Sequence, residues 1–277
     1  MANRMVTVLE RGLTGTEIKL IAMVLMVLDH LYYFFQFTGD VPILFTWLGR
    51  MVGWMFLFLL VEGFIHTKNR LKHFWRIWLI GAGMGTINYL IKIFLARGDL
   101  FSPQNNIFAT FTVLLIIWQG LDLLKRKKVV RGFLLICLPF VLTFFYLSLP
   151  LDILSYVYLL ETTVFPLPFL TEGGIPYIIG GILLFLLRWN RKLQIAVFGV
   201  FLLLWNGYVG ISTGVQGFGW LYQFYEWMGI FSLIFMCLYN EKRGRNLKHL
   251  FYAFYPLHVY ILYFASYAQY IFYTNLH

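Results

Sequence analysis

Ionisable side chains stand in this chain where lipid-facing apolar residues are the rule. Asp29 and His30 are adjacent late in the apolar run IAMVLMVLDHLYYFF. The next apolar run, LGRMVGWMFLFLLVEGFIH, carries Arg50 near its start and Glu62 and His66 near its end, and passes directly into the basic strip TKNRLKHFWR. An ionised side chain at the centre of a bilayer costs roughly 2.5–3.5 kcal/mol even on lenient scales. A helix that keeps Arg50 and Glu62 must therefore offer each a partner or a water-filled cavity. Two successive spans with such groups read as walls of one polar site. The chemistry open to that set is general-base help to a nucleophilic attack: an imidazole with an ordinary pKa of about 6.5 can take the proton of an attacking amine or hydroxyl. A guanidinium at the same depth can face the developing oxyanion. Asp29 either orients His30 or pairs with Arg50, since neighbours on a helix project about 100° apart.

Each residue also has a structural reading. His30 is a catalytic base or a buried hydrogen-bonding group, and Arg50 is a site residue or a helix-pairing charge. Glu62 reads first as a partner for a basic residue. His66, Lys68, Asn69, Arg70, Lys72 and Arg76 make a strip that suits the phosphates of a ligand through charge-assisted hydrogen bonds. Retention of cations on the cytoplasmic side accounts for the same strip without any ligand. Glu226 and His258, the latter two residues after Pro256, are further candidates. Cys137 and Cys237 lie in apolar runs without metal-like spacing and read as packing residues, so no metal centre is expected. Walker, HExxH and GxSxG patterns do not organise the chain.

The elements that position these groups follow from composition. Of 277 residues, 60% are apolar, 20% aromatic and only 12% charged, and the mean hydropathy is +0.75. Soluble domains carry about 25% charged residues, so the chain reads as an all-α polytopic membrane protein. It forms one integral bundle over residues 1–277, with about nine transmembrane helices. These lie near residues 17–37, 44–65, 74–95, 107–121, 132–149, 177–187, 193–208, 220–239 and 250–273. Segment 150–176 is broken by Asp152, Glu161, Pro166, Pro168 and Glu172 and reads as a loop with an interfacial or re-entrant helix. Spanning by residues 151–169 would make ten. Gly81, Gly83 and Gly85 read as close helix packing.

The net charge of +10 invites a nucleic-acid reading, but its distribution argues for topology instead. The N-terminus, with Arg4, Glu10 and Arg11, and the loops near Lys68, Lys125, Arg188 and Lys242 hold nearly all the Lys and Arg. The alternate loops, near Asp40, Asp99, Glu161 and Gly214, hold almost none beyond Arg97. Cations stay inside, so the N-terminus is expected in the cytoplasm. With about 1.5 Å of rise per residue, His30 lies about 20 Å from the cytoplasmic end of its span and Arg50 about 9 Å from the outer end of the next. In a core of about 30 Å these levels nearly coincide. The polar groups thus run from the cytoplasmic end to the outer third, as suits two substrates arriving from opposite sides.

The blocks IAMVLMVLDHLYYFF, LGRMVGWMFLFLLVEGFIHTKNRLKHFWR, NIFATF and LFYAFYPLHVYILY, in that order and spacing, resemble the TraX family. That family is named for a conjugation-associated protein that acetylates the N-terminus of pilin. The first two blocks are also similar to the wider group of membrane acyltransferases, which place a histidine late in the first helix. Residues 125–242 carry little signature, and GWMFLF has no proline where many members read PLF. The resemblance implies that His30 is the base and acetyl-CoA the acyl donor. It implies an amine or hydroxyl acceptor on a peptide or lipid-linked substrate, and a multi-pass protein of the bacterial cytoplasmic membrane, with lipid and not nucleic acid as its surroundings. The competing classes are a transporter or channel lined by the buried charges, for which no internal repeat speaks, and a structural partner in a secretion or conjugation machine.

Overall fold

The computed structural model describes residues 11–214 and 219–276; Arg4, Glu10 and the rest of the lead before Arg11 lie outside them. The described chain is helical. Its elements are α1 (Gly15–Phe35), α2 (Leu44–Gly49), α3 (Val52–His66), α4 (Arg70–Phe94), α5 (Ile107–Lys125), α6 (Val129–Leu147), α7 (Leu151–Thr163), α8 (Gly174–Leu186), α9 (Arg191–Ser212), α10 (Gly219–Gln223), α11 (Ser232–Leu238) and α12 (Lys248–Leu276), with 3-10 turns at Gln36–Thr38 and Tyr225–Phe231. The described residues contain no strand beyond an isolated bridge between Leu13 and Tyr239.

Among the described residues, six stretches are long and apolar enough to cross a membrane: Gly15–Thr38, Leu44–His66, Arg70–Phe94, Ile107–Lys125, Val129–Leu147 and Arg191–Ser212. Two shorter apolar stretches, Gly174–Leu186 and Tyr225–Leu238, and the 29-residue α12 fall at the remaining three positions where the sequence places spans. The protein is an all-α polytopic membrane protein. In the ambiguous segment, α7 has 13 residues, a length of about 20 Å against a hydrocarbon core of about 30 Å.

The chain divides into two compact units, residues 1–59 with 187–277 and residues 60–186. In the first, α1 packs on α2 and α12, and α9 packs on the Tyr225–Phe231 turn and α11. The start of α1 is defined by a capping box: Thr14 Oγ1 accepts from the Glu17 amide at 3.3 Å, and Glu17 Oε2 accepts from the Thr14 amide at 2.8 Å. The loop after α11 docks on this end. Amides of Leu13, Gly15 and Thr16 donate to the carbonyls of Leu238, Lys242 and Arg243 at 2.6, 2.8 and 3.0 Å. The Thr16 hydroxyl lies 2.9 and 2.6 Å from the carbonyls of Arg243 and Arg245. Amides that would otherwise be orphaned at the first turn are thereby satisfied.

In the second unit α5 is the buried centre. Its residues Val113, Leu114, Ile117 and Trp118 are almost wholly covered, and α4, α6 and α8 pack around it. Trp118 donates to the Gly181 carbonyl at 3.1 Å, and its ring stacks on Phe185. The N-terminal end of α5 is held by Glu172, whose carboxylate accepts from the Asn106 amide at 2.5 Å, a favourable place for negative charge on a helix. Gly85 confirms the packing role expected of the α4 glycines: a Cβ there would lie 1.9 Å from the Thr162 carbonyl oxygen, whereas Gly83 faces open space.

Arg97, the exception to the loop-charge rule, is internally neutralised. Its side chain is 3% exposed and pairs with Asp99 at 2.8 Å while lying over the Phe101 ring. The guanidinium in turn holds the Asp99 carboxyl below the usual carboxylate range. Single cysteines at Asp40, Leu100 and Gly214, all exposed, should react with an impermeant maleimide in intact cells. Cysteines at Lys127 and Lys192 should react only after permeabilisation, and the reverse pattern at Gly214 would defeat the nine-span topology.

Candidate functional site

The second predicted span is interrupted at its ionisable residue. α2 ends at Gly49, α3 begins at Val52, and Arg50 occupies the junction. Glu226 sits in a second irregular stretch, the Tyr225–Phe231 turn. Non-regular backbone at membrane depth persists only where protein or water satisfies it, and here both irregularities serve one guanidinium. Arg50 Nη2 donates to Asp29 Oδ1 at 2.7 Å and Nη1 to Glu226 Oε1 at 3.0 Å. Its Nε donates to the Thr46 carbonyl at 3.1 Å, and Nη2 also reaches Thr46 Oγ1 at 3.1 Å. Thr46 Oγ1 donates to Asp29 Oδ1 at 2.7 Å, closing the ring of contacts, and the guanidinium lies over the Tyr225 ring. Asp29 is 16% exposed and Arg50 26%, but Glu226 is 59% exposed. One edge of this network is therefore open to an incoming group.

Of the two readings left open for Asp29, the structure places its carboxylate on Arg50 and Thr46. Close approach makes this possible: a Cβ on Gly49 would lie 2.4 Å from the Asp29 side chain. Thr46 and Tyr225 were not legible as site residues. Their only signal is position, Thr46 standing one helical turn before Arg50 and Tyr225 next to Glu226.

His30 is 3% exposed and His258 7%. Nδ1 of His30 lies 2.6 Å from Nε2 of His258, and Nδ1 of His258 donates to the Phe254 carbonyl at 2.9 Å. The two rings are 8° from parallel with centroids 4.7 Å apart. Nitrogens that close cannot belong to rings stacked face on face, so the contact is edge to edge and in plane. Phe34 packs its edge on His30, and Phe254 stacks on His258. The first unit thus gathers Asp29, His30, Arg50, Glu226 and His258.

The other candidates belong to the second unit. Glu62 is buried, and its carbonyl accepts from His66 Nδ1 at 2.8 Å. Asn69 caps α4 by accepting from the Lys72 amide at 2.8 Å. Arg70 is committed: it pairs with Asp122 at 2.5 Å, reaches Gln119 at 3.3 Å and lies over the Phe64 ring. Asp122, 8% exposed, was not singled out from sequence, where it is a lone acid before KRKK. Lys68 and Lys72 are exposed and Arg76 half-buried. Among the described residues no cluster of three His, Cys, Asp or Glu could hold a metal ion.

The family model described as TraX protein matches residues 14–266 of this chain. No curated protein and no solved structure matches it.

Two substitutions test these placements. Gly49→Ala should displace Asp29 and reduce function without removing any charge, which separates positioning from ionisation. Arg70→Ala should lower the thermal stability of the purified protein by somewhat less than the roughly 3–5 kcal/mol of a broken buried pair, because the Arg70 side chain is 27% exposed. Adding Asp122→Asn should recover part of the loss, and an Arg70→Ala protein as stable as the parent would show that the pair is not structural.

Proposed function

The chain belongs to the TraX family, and from that premise we propose that it is a membrane acetyltransferase. It moves an acetyl group from acetyl-CoA to an amine or hydroxyl, with the N-terminus of a pilin-like peptide as the acceptor the family suggests, in a bacterial cytoplasmic membrane. The acceptor's nitrogen or oxygen attacks the thioester carbonyl and the new carbon–heteroatom bond forms. The carbon–sulfur bond then breaks, and the acceptor's proton ends on the coenzyme A sulfur.

The observation that carries this reading is a buried histidine next to an arginine network with one exposed edge. His30 accepts the acceptor's proton and later returns it to the leaving thiolate. Arg50 is held by Asp29 and Glu226 at 2.7 and 3.0 Å, so its guanidinium is positioned in advance as a hydrogen-bond donor to the oxyanion and need not reorganise during the reaction. Burial excludes water, which would compete as acceptor. On the basic strip, with Arg70 engaged by Asp122, Lys68 and Lys72 are the cations offered to the donor's phosphates.

Purified protein in nanodiscs should transfer label from [acetyl-¹⁴C]acetyl-CoA to an acceptor peptide. His30→Ala should fold, bind acetyl-CoA and lose at least about 10²-fold in rate, the lower bound for a general base. Near-parental transfer by His30→Ala would end the proposed mechanism. Arg50→Lys, which keeps the charge but not the two-pronged geometry, should retain the fold and lose kcat.

A further inference from the structure

We propose that His258 is the positioning residue of the base: it fixes the tautomer of His30 so that Nε2, and not Nδ1, is the nitrogen that takes the proton. The catalytic consequence rests on the acetyl-transfer reading above, but the lock itself does not.

The argument runs from an atom that can only accept. The Phe254 carbonyl lies 2.9 Å from His258 Nδ1, so the proton of that contact is on Nδ1. In a neutral imidazole one nitrogen donates and the other accepts, so Nε2 of His258 carries a lone pair. That lone pair faces Nδ1 of His30 at 2.6 Å, so the proton between them belongs to His30 Nδ1. His30 then holds its own lone pair on Nε2. The carbonyl sets the first ring and the first ring sets the second, in the way that the hydrogen bond at one nitrogen decides the role of the other.

The surroundings favour this arrangement over a charged one. Both rings are more than nine-tenths buried, with Phe34, Phe254 and Tyr255 on their faces and edges. A neutral relay leaves no buried charge at rest, which a low-dielectric site demands. The usual orienting group for a catalytic histidine is a carboxylate. Here the nearest in sequence, Asp29, is engaged by Arg50 and Thr46, and a second imidazole stands in its place. When His30 Nε2 takes the acceptor's proton, Nδ1–H still donates to His258, which lowers the energy of the imidazolium without adding a net charge beforehand.

The test reads the tautomer directly. Protein labelled with ¹⁵N-histidine in nanodiscs should show, at a pH where the rings are neutral, a His30 pair with Nδ1 protonated and Nε2 bare; the His30→Gln spectrum assigns the signal. In His258→Ala the His30 signal should move toward the Nε2-protonated form, and kcat should fall roughly 10²-fold or more with the KM for acetyl-CoA unchanged. His258→Gln offers an acceptor to His30 and a donor to Phe254, and should restore both the tautomer and most of kcat. An unchanged His30 tautomer in His258→Ala overturns the proposal, as does equal loss of activity in the Ala and Gln variants when both are folded. Parental protein that shows the lock but transfers no acetyl group upholds the lock and refutes the acetyl-transfer reading instead.

Discussion

A guanidinium inside a hydrocarbon layer is tolerated only if its surroundings neutralise it and satisfy its donors, and much of the first unit can be read as meeting that demand for Arg50. The helix breaks at Arg50 and resumes at Val52. Thr46 turns both its carbonyl and its hydroxyl toward the same side chain. Gly49 has no Cβ because Asp29 needs the space, and the stretch around Glu226 adopts a 3-10 turn. Asp29 turns onto Arg50, and the next residue, about 100° further round, falls on the buried stripe of Ile18, Ala22, Met26 and Phe34 and meets His258.

What the sequence showed and what it concealed divide along physical lines. Hydropathy reports how much apolar chain is present, so the six long apolar stretches were legible, and so was the break in the run that holds Asp152, Glu161 and Pro166. Ionisable residues set in apolar runs stand out by their cost, which is why Asp29, His30, Arg50, Glu226 and His258 are legible as candidates. Pairing was not legible. Nothing in the chain says that Asp29 turns to Arg50, or that His258 lies edge to edge with a residue 228 positions earlier. Interruptions were equally hidden: LFTWLGRMVGWMF reads as one continuous apolar helix, and only tertiary contacts reveal the break. Arg70 looked like one more cation in a basic strip because its partner Asp122 is 52 residues away.

The division of the chain also bears on how the protein is made. The first unit is discontinuous, with residues 60–186 inserted between its halves. As helices enter a membrane from the N-terminus onward, the 21-residue separation lets Asp29 and Arg50 meet early. Glu226 follows 176 residues behind Arg50, and His258 comes last of all. Until α12 is synthesised, His30 lacks this ring partner. The nascent chain therefore carries His30 from α1 but acquires the ring it contacts only with α12. Assembly of the pair thus waits for α12, and ribosome-bound chains halted before Tyr252 contain only one of its two imidazoles.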